Sequence, residues 1–176
     1  MSGSLILIDS ETVTSATSTV KLLGLDSTYD VYVVHFMNVQ CTTDNEELYF
    51  RVTKNVSGTA GTPDGTAEYD YAMRELKAYA DSGEGSNTDQ TQWYISYLGT
   101  PAQEQANGTI HLFNWQDSNE YSYYTIKNEN FNSVSKLSGG QGGGVHTVQQ
   151  ACDGICFYMD SGNIDVGEFR LYGYKK

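Results

Sequence analysis

The sequence predicts an all-β protein, a sandwich or a barrel, with at most one short helix. Three observations predict it. Apolar and polar residues alternate through many short runs, the period-2 signature of half-buried strands. Clusters of Gly, Ser, Asn, Thr and Asp separate those runs as turns would. Fourteen tyrosines supply rings that are apolar and hydroxyls that stay wet, which suits sheet faces partly in contact with water.

The elements follow in order. Residues 1–17 read as a thin arm, and residues 18–176 as a single domain. Leu5, Ile6, Leu7 and Ile8 are the arm's candidates for contact with another subunit. "TVKLLGLD" (19–26) opens the domain. "DVYVVHFMN" (30–38) sets Val31, Val33, His35 and Met37 on one face and Tyr32, Val34 and Phe36 on the other. Both faces are largely apolar, so this strand is expected to be central. "ELYFRVTK" (47–54) turns Leu48, Phe50 and Val52 inward and Tyr49, Arg51 and Thr53 outward. "NVSGTAGTPDGT" (55–66) is a loop by composition. The segment at 67–72 reads as strand. "YAMRELKAYADSG" (71–83) has good helix formers, with Met73, Leu76 and Tyr79 or Ala80 near one face and Gly83 as a stop. It is the one predicted helix. "DSGEGSNTDQT" (81–91) reads as a second loop.

"QWYISYL" (92–98), "GTIHLFNW" (108–115) and "EYSYYTIKNE" (120–129) return to strand alternation. "SGGQGGGVHT" (138–147) is the densest in Gly. It reads as a loop whose backbone needs positive φ or close approach to a neighbour, leading into a strand at "VHTVQQ" (145–150). "GICFYMD" (154–160) and "GEFRLYGY" (167–174) are the closing strands, with Ser161, Gly162 and Asn163 as the tight turn between them. Phe169 and Leu171 face in, and Arg170 and Tyr172 face out. The last strand is read as a sheet edge blunted by Lys175 and Lys176.

Length and charge bound the function. A chain of 176 residues fits one domain that buries roughly 70% of its unfolded surface. A net charge of −12 argues against a grip on nucleic acid, which needs Lys and Arg to displace counterions. It argues equally against anionic membrane surfaces. The apolar run at residues 5–8 lacks a basic leader and is too short for a signal peptide or a span, so synthesis in the cytoplasm is expected. Three cysteines, Cys41, Cys152 and Cys156, are an odd number. They are expected to be small buried hydrophobes rather than a disulfide framework or a zinc set.

The chemistry-bearing motifs are few. His35, His111 and His146 lie far apart, and no nucleophile elbow accompanies them. The Gly-rich stretch lacks the Lys-Ser/Thr ending of a phosphate loop. The acidic stretches at 42–47 and 81–89 do not fit a calcium loop. No catalytic, metal or cofactor site is therefore expected. Trp93 and Trp115, with Tyr121, Tyr123 and Tyr124, are the candidates for stacking on sugar rings, against a core role for aromatics in strands.

Five segments carry a resemblance. "GLDSTYDVYVVHFMNV" (24–39), "ELYFRVTKN" (47–55), "EYDYA" (68–72), "GGGVHT" (142–147) and "DGICFYMDSGNIDVGEFRLYG" (153–173) occur in this order. Together they resemble a family of small virion proteins of tailed bacteriophages. That family opens on G-[IL]-D-S-x-Y-D-x-Y and closes on a hairpin of the form S-G-N-I-x-x-G-x-[FI]-x-L-Y-G. The match spans roughly 19–174, with Asp160 standing where a small residue usually precedes the hairpin motif. The resemblance implies an antiparallel jelly-roll-like β-sandwich in a head decoration, tail, fibre or baseplate. It implies no catalytic residues and no cofactor. The partners it implies are other virion proteins and copies of the chain itself, trimers included, because virion sites are symmetric. The protein would be made in the host cytoplasm and end on the virion. The alternative from another class is a carbohydrate-binding module that attaches to a host surface glycan.

Overall fold

The computed structural model describes residues 4–132 and 135–174. It is an antiparallel, jelly-roll-like β-sandwich, with no helix among the described residues. Thirteen strands follow one another: β1 (Leu5–Val13), β2 (Val20–Leu23), β3 (Val31–Cys41), β4 (Glu46–Val56), β5 (Thr59–Pro63), β6 (Tyr69–Lys77), β7 (Gly83–Gln90), β8 (Trp93–Leu98), β9 (Ala106–Phe113), β10 (Ser122–Phe131), β11 (Leu137–His146), β12 (Gly154–Met159) and β13 (Ile164–Tyr174). Eight of them form a large sheet in the order β1-β13-β3-β9-β10-β11-β6-β7. The small sheet runs β2-β12-β4-β5, with β8 also paired to β4.

The inward rows of the two sheets meet in one core. Tyr32, Val34 and Phe36 of β3, Ile110 and Leu112 of β9, and Phe169 and Leu171 of β13 come from the large sheet. Leu48, Phe50 and Val52 of β4 and Ile155 and Phe157 of β12 come from the small one. Trp93 is the hub. Its ring lies 5.0 Å from Phe50, 4.7 Å from Tyr69, 4.6 Å from Tyr124 and 5.8 Å from Trp115. Both indole N–H groups are satisfied inside the protein: Trp93 donates to the Asp70 carbonyl at 3.1 Å and Trp115 to the Tyr123 carbonyl at 2.8 Å. A buried Trp keeps its place only when that donor has a partner.

Six expectations are corrected, the first two being the loops at 55–66 and 81–91, which hold β5 and β7 because their backbones pair with β4 and β6. Residues 71–83 are not helical. They are β6 and the start of β7, because β6 is hydrogen-bonded along both edges, to β11 and to β7. Two ladders outweigh an intrinsic helix preference that is worth only tenths of a kcal/mol per residue. The Gly-rich stretch is not a loop but β11, and its inward positions Gly140, Gly142 and Gly144 lie against side chains of β10 and β6. A Cβ on Gly144 would sit 2.5 Å from the Tyr124 ring and 2.9 Å from Trp93 Nε1. Close approach, the second of the two reasons given for those glycines, is the one that applies. The strand expected at 145–150 is only the end of β11, which stops at His146.

The arm, from Leu5 onward, is β1, laid antiparallel along β13 from Leu5–Tyr174 to Val13–Gly167 with a register shift between Leu7 and Asp9. β13 is therefore an interior strand between β1 and β3, and the edge is β1. Lys175 and Lys176 lie outside the described residues. The turn before β13 does use Gly162 at φ +75°, and Gly167 at φ +155° sits at a register shift in the β13–β3 ladder.

Candidate binding cleft

The small sheet is narrower than the large one. β8 pairs with β4 alone, while β11, β6 and β7 carry the large sheet on past it. Between β8 and the β6–β7 hairpin lies a cleft of about 750 Å³. Tyr94 and Tyr97 of β8 and Tyr49 of β4 form one wall, and Tyr71, Met73 and Glu75 of β6 form the other. Ser96, Asn128, Asn130 and Gly140 line it as well.

The sequence of β10 explains where the cleft begins. Its burial alternates strictly, with Ser122, Tyr124, Ile126, Asn128 and Asn130 inward. The first part of this row joins the core, and the row then switches from ring and aliphatic to amide. Across β11, Gly140 presents no side chain, and a Cβ there would meet Asn128 Oδ1 at 2.6 Å and Met73 Cε at 2.9 Å. Amides also hold the walls. Asn130 Nδ2 donates to the Tyr97 carbonyl at 2.8 Å, Asn87 Nδ2 to the Tyr71 hydroxyl at 2.8 Å and Asn132 Nδ2 to the Tyr79 hydroxyl at 3.0 Å.

The cleft is electrostatically quiet. Lys77 pairs with Glu75 at 2.9 Å, and Glu47 accepts a hydrogen bond from the Tyr49 hydroxyl. A hydrogen bond to Glu47, with burial added, pushes the Tyr97 hydroxyl up to about 12. Burial, with Glu75 and Glu47 nearby, pushes Tyr94 up as well. Both hydroxyls therefore keep their protons and can donate. Two polar side chains of the cleft lining have no partner among the described residues. Asn128, 6% exposed, has neither amide atom bonded, and Ser96, 5% exposed, has a free Oγ.

The structure separates the sugar-stacking candidates. Trp93, Trp115 and Tyr124 are core residues with no ring face open to a ligand. Tyr121 and Tyr123 are exposed, but Tyr123 pairs with Phe113 and Val145 on the outer face of the large sheet, away from the cleft. Tyr94 and Tyr97 line the cleft without being sequence candidates, because their alternation with Trp93 in β8 reads as ordinary strand pattern. The arm candidates also divide. Leu5, Ile6 and Leu7 are exposed on β1, whereas Ile8 packs against the chain's own core.

A second polar cluster has its carboxylate and imidazole closed to solvent, with Lys54 part-exposed at its margin. Asp64 accepts from Lys54 Nζ and Gln150 Nε2, each at 2.8 Å, and lies 3.8 Å from His146 Nε2. Burial pushes the Asp64 carboxyl up, but the bonds from Lys54, Gln150 and Thr66 outweigh it and hold the carboxyl well below its usual range. Burial also lowers His146, against the pull of Asp64. The cluster ties the segment after β5 to the segment after β11. With Asp64 and His146 sealed from solvent, it has no room for a substrate. Among the described residues no group of three or more His, Cys, Asp or Glu could hold a metal ion. The three cysteines are unpaired and buried.

The chain matches no protein-family model, no curated protein and no solved structure.

Proposed function

We propose that the chain is a non-enzymatic structural protein of a bacteriophage particle, held there by protein–protein contacts. The observation that carries this reading is the outer face of the large sheet beside its β1 edge. Leu5 stands opposite Tyr174, and Leu7 opposite Tyr172, which in turn pairs with Val33. Leu5, Leu7 and Tyr174 are exposed, and Phe113 and Tyr123 continue the aromatic surface further along the sheet. An apolar surface next to the unpaired backbone of an edge strand favours association with another subunit. The residues that carry the virion resemblance support the same reading, since they build β3, β4, β6, β11, β12 and β13 of one sandwich.

The test is incorporation. Phage carrying the double substitution Leu5→Asp and Leu7→Asp should yield particles depleted in this chain, while the isolated variant keeps its melting temperature. Unchanged incorporation refutes this contact surface. A second role, attachment to carbohydrate, is favoured by the tyrosine and amide lining of the cleft.

A further inference from the structure

We propose that the cleft between β8 and the β6–β7 hairpin binds a neutral oligosaccharide, stacked on Tyr97 and hydrogen-bonded by Asn128 and Ser96. This deepens the attachment reading and is independent of the chain's place in a particle.

Size comes first. A volume of about 750 Å³ falls within the range of roughly 300–1,000 Å³ typical of small-ligand sites. The shape of the lining comes next. Five tyrosines face the cleft: Tyr49, Tyr71, Tyr79, Tyr94 and Tyr97. Tyr97 is 43% exposed, so part of its ring is open to a ligand. Each face of a pyranose ring presents C–H groups, which pack on an aromatic face, while its rim presents hydroxyls.

The rim is what Asn128 and Ser96 would meet. A side-chain amide offers a donor and an acceptor side by side, and each sugar hydroxyl is both donor and acceptor. Asn128 is more than nine-tenths buried with both amide atoms unpartnered, and Ser96 Oγ is in the same state. Buried polar groups are nearly always satisfied. A ligand hydroxyl entering the cleft supplies what the protein leaves out. Gly140 keeps this part of the lining open, since any larger residue there would push into Asn128 and Met73.

Charge selects among glycans. Lys77 is engaged by Glu75, and Glu47 and Glu84 add negative charge against Arg74. An anionic sugar, a phosphate or a nucleic acid would find no surplus of positive charge. A hydrophobic peptide would find little to fill, because among the described residues Met73 and Ile95 are the only aliphatic side chains in the lining.

Saturation-transfer NMR on the purified full-length chain tests the proposal. The probes are short oligosaccharides of glucose, galactose, mannose and N-acetylglucosamine, with sialylated and uronate oligomers as the anionic set. The expected result is transfer to at least one neutral probe and none to the anionic set. Tyr97→Ala should weaken that binding about tenfold, the order of an aromatic contact, and Asn128→Ala should weaken it similarly. Tyr123→Ala, on the outer face, should leave it unchanged. Should Asn128→Ala fail to fold, the exposed Tyr97 still decides the matter. Absence of transfer to every neutral probe overturns the proposal, as does binding that is indifferent to Tyr97→Ala or equally strong for anionic probes. None of these failures bears on incorporation into particles.

Discussion

Replacing Gly144 by Ala puts the packing of β11 to a direct test. The added Cβ would lie 2.4 Å from the Asp70 carbonyl oxygen, 2.5 Å from Tyr124 Cε1 and 2.9 Å from Trp93 Nε1. Backbone cannot yield without breaking the β11–β6 ladder, and the two rings are locked in the core. Overpacking of this kind costs about 1–3 kcal/mol. Displacing the indole also loosens its bond to the Asp70 carbonyl, worth about 1 kcal/mol. The expected total is about 2–4 kcal/mol, a large part of the roughly 5–15 kcal/mol that holds a domain together. At about 2–4 °C per kcal/mol for a chain of this size, the melting temperature should fall by roughly 5–15 °C. Urea unfolding followed by tryptophan fluorescence reads the free energy, and calorimetry reads the temperature. The control is Gly85→Ala in β7, where a Cβ meets nothing within 4 Å. If Gly144→Ala and Gly85→Ala cost the same, the close-packed glycine strand is wrong.

Acid should unfold the protein through the Asp64 cluster. Asp64 has a folded pKa below its ordinary value near 3.8, so its contribution is complete above that value and lost as the pH falls below it. His146 is also lowered, from 6.5. The unfolded chain therefore takes up a proton that the folded one refuses, and stability declines from about pH 6.5 downward. Melting temperatures recorded from pH 7 to pH 3 should fall in both ranges, and His146→Gln should flatten the upper one; a flat profile contradicts the cluster. Burial pushes the Cys41, Cys152 and Cys156 thiols up to about 11 each. All three should resist a thiol reagent at neutral pH and react once the chain is unfolded in denaturant. Labelling of any of them in the native protein, read by mass spectrometry, would show that part of the fold open.

The legible part of the fold was the part whose side chains alternate. β3, β4, β12 and β13 announce themselves because their inward rows are rich in rings and branched aliphatics, and β10 because its alternation is strict. β7, with sequence GEGSNTDQ, and β11, with LSGGQGGGVH, carry no such row. They are strands because their backbones complete ladders with β6 and β10, and a ladder leaves no mark on composition. β6 misled for a different reason. Met73, Leu76 and Tyr79 fit a helical stripe, yet Tyr71, Met73, Glu75 and Lys77 alternate just as well as the half-buried face of a strand. The cleft was partly legible. In "SYYTIKNEN" the inward positions pass from Tyr124 and Ile126 to Asn128 and Asn130, which marks where a core becomes a polar lining. Nothing local could reveal that the facing wall would come from Tyr94 and Tyr97, because the β8 edge and the β6–β7 hairpin meet only through the sheet order.

The most direct test of the central claim is an image of purified phage particles at a resolution that traces chains. The expected result is this sandwich in regular copies, with β1 and the outer face of the large sheet against neighbouring subunits. Such copies on the head lattice would make it a decoration protein; copies at tail or fibre tips would set the tyrosine cleft toward the host. Particles in which every chain is traced and this sandwich is absent would contradict the claim.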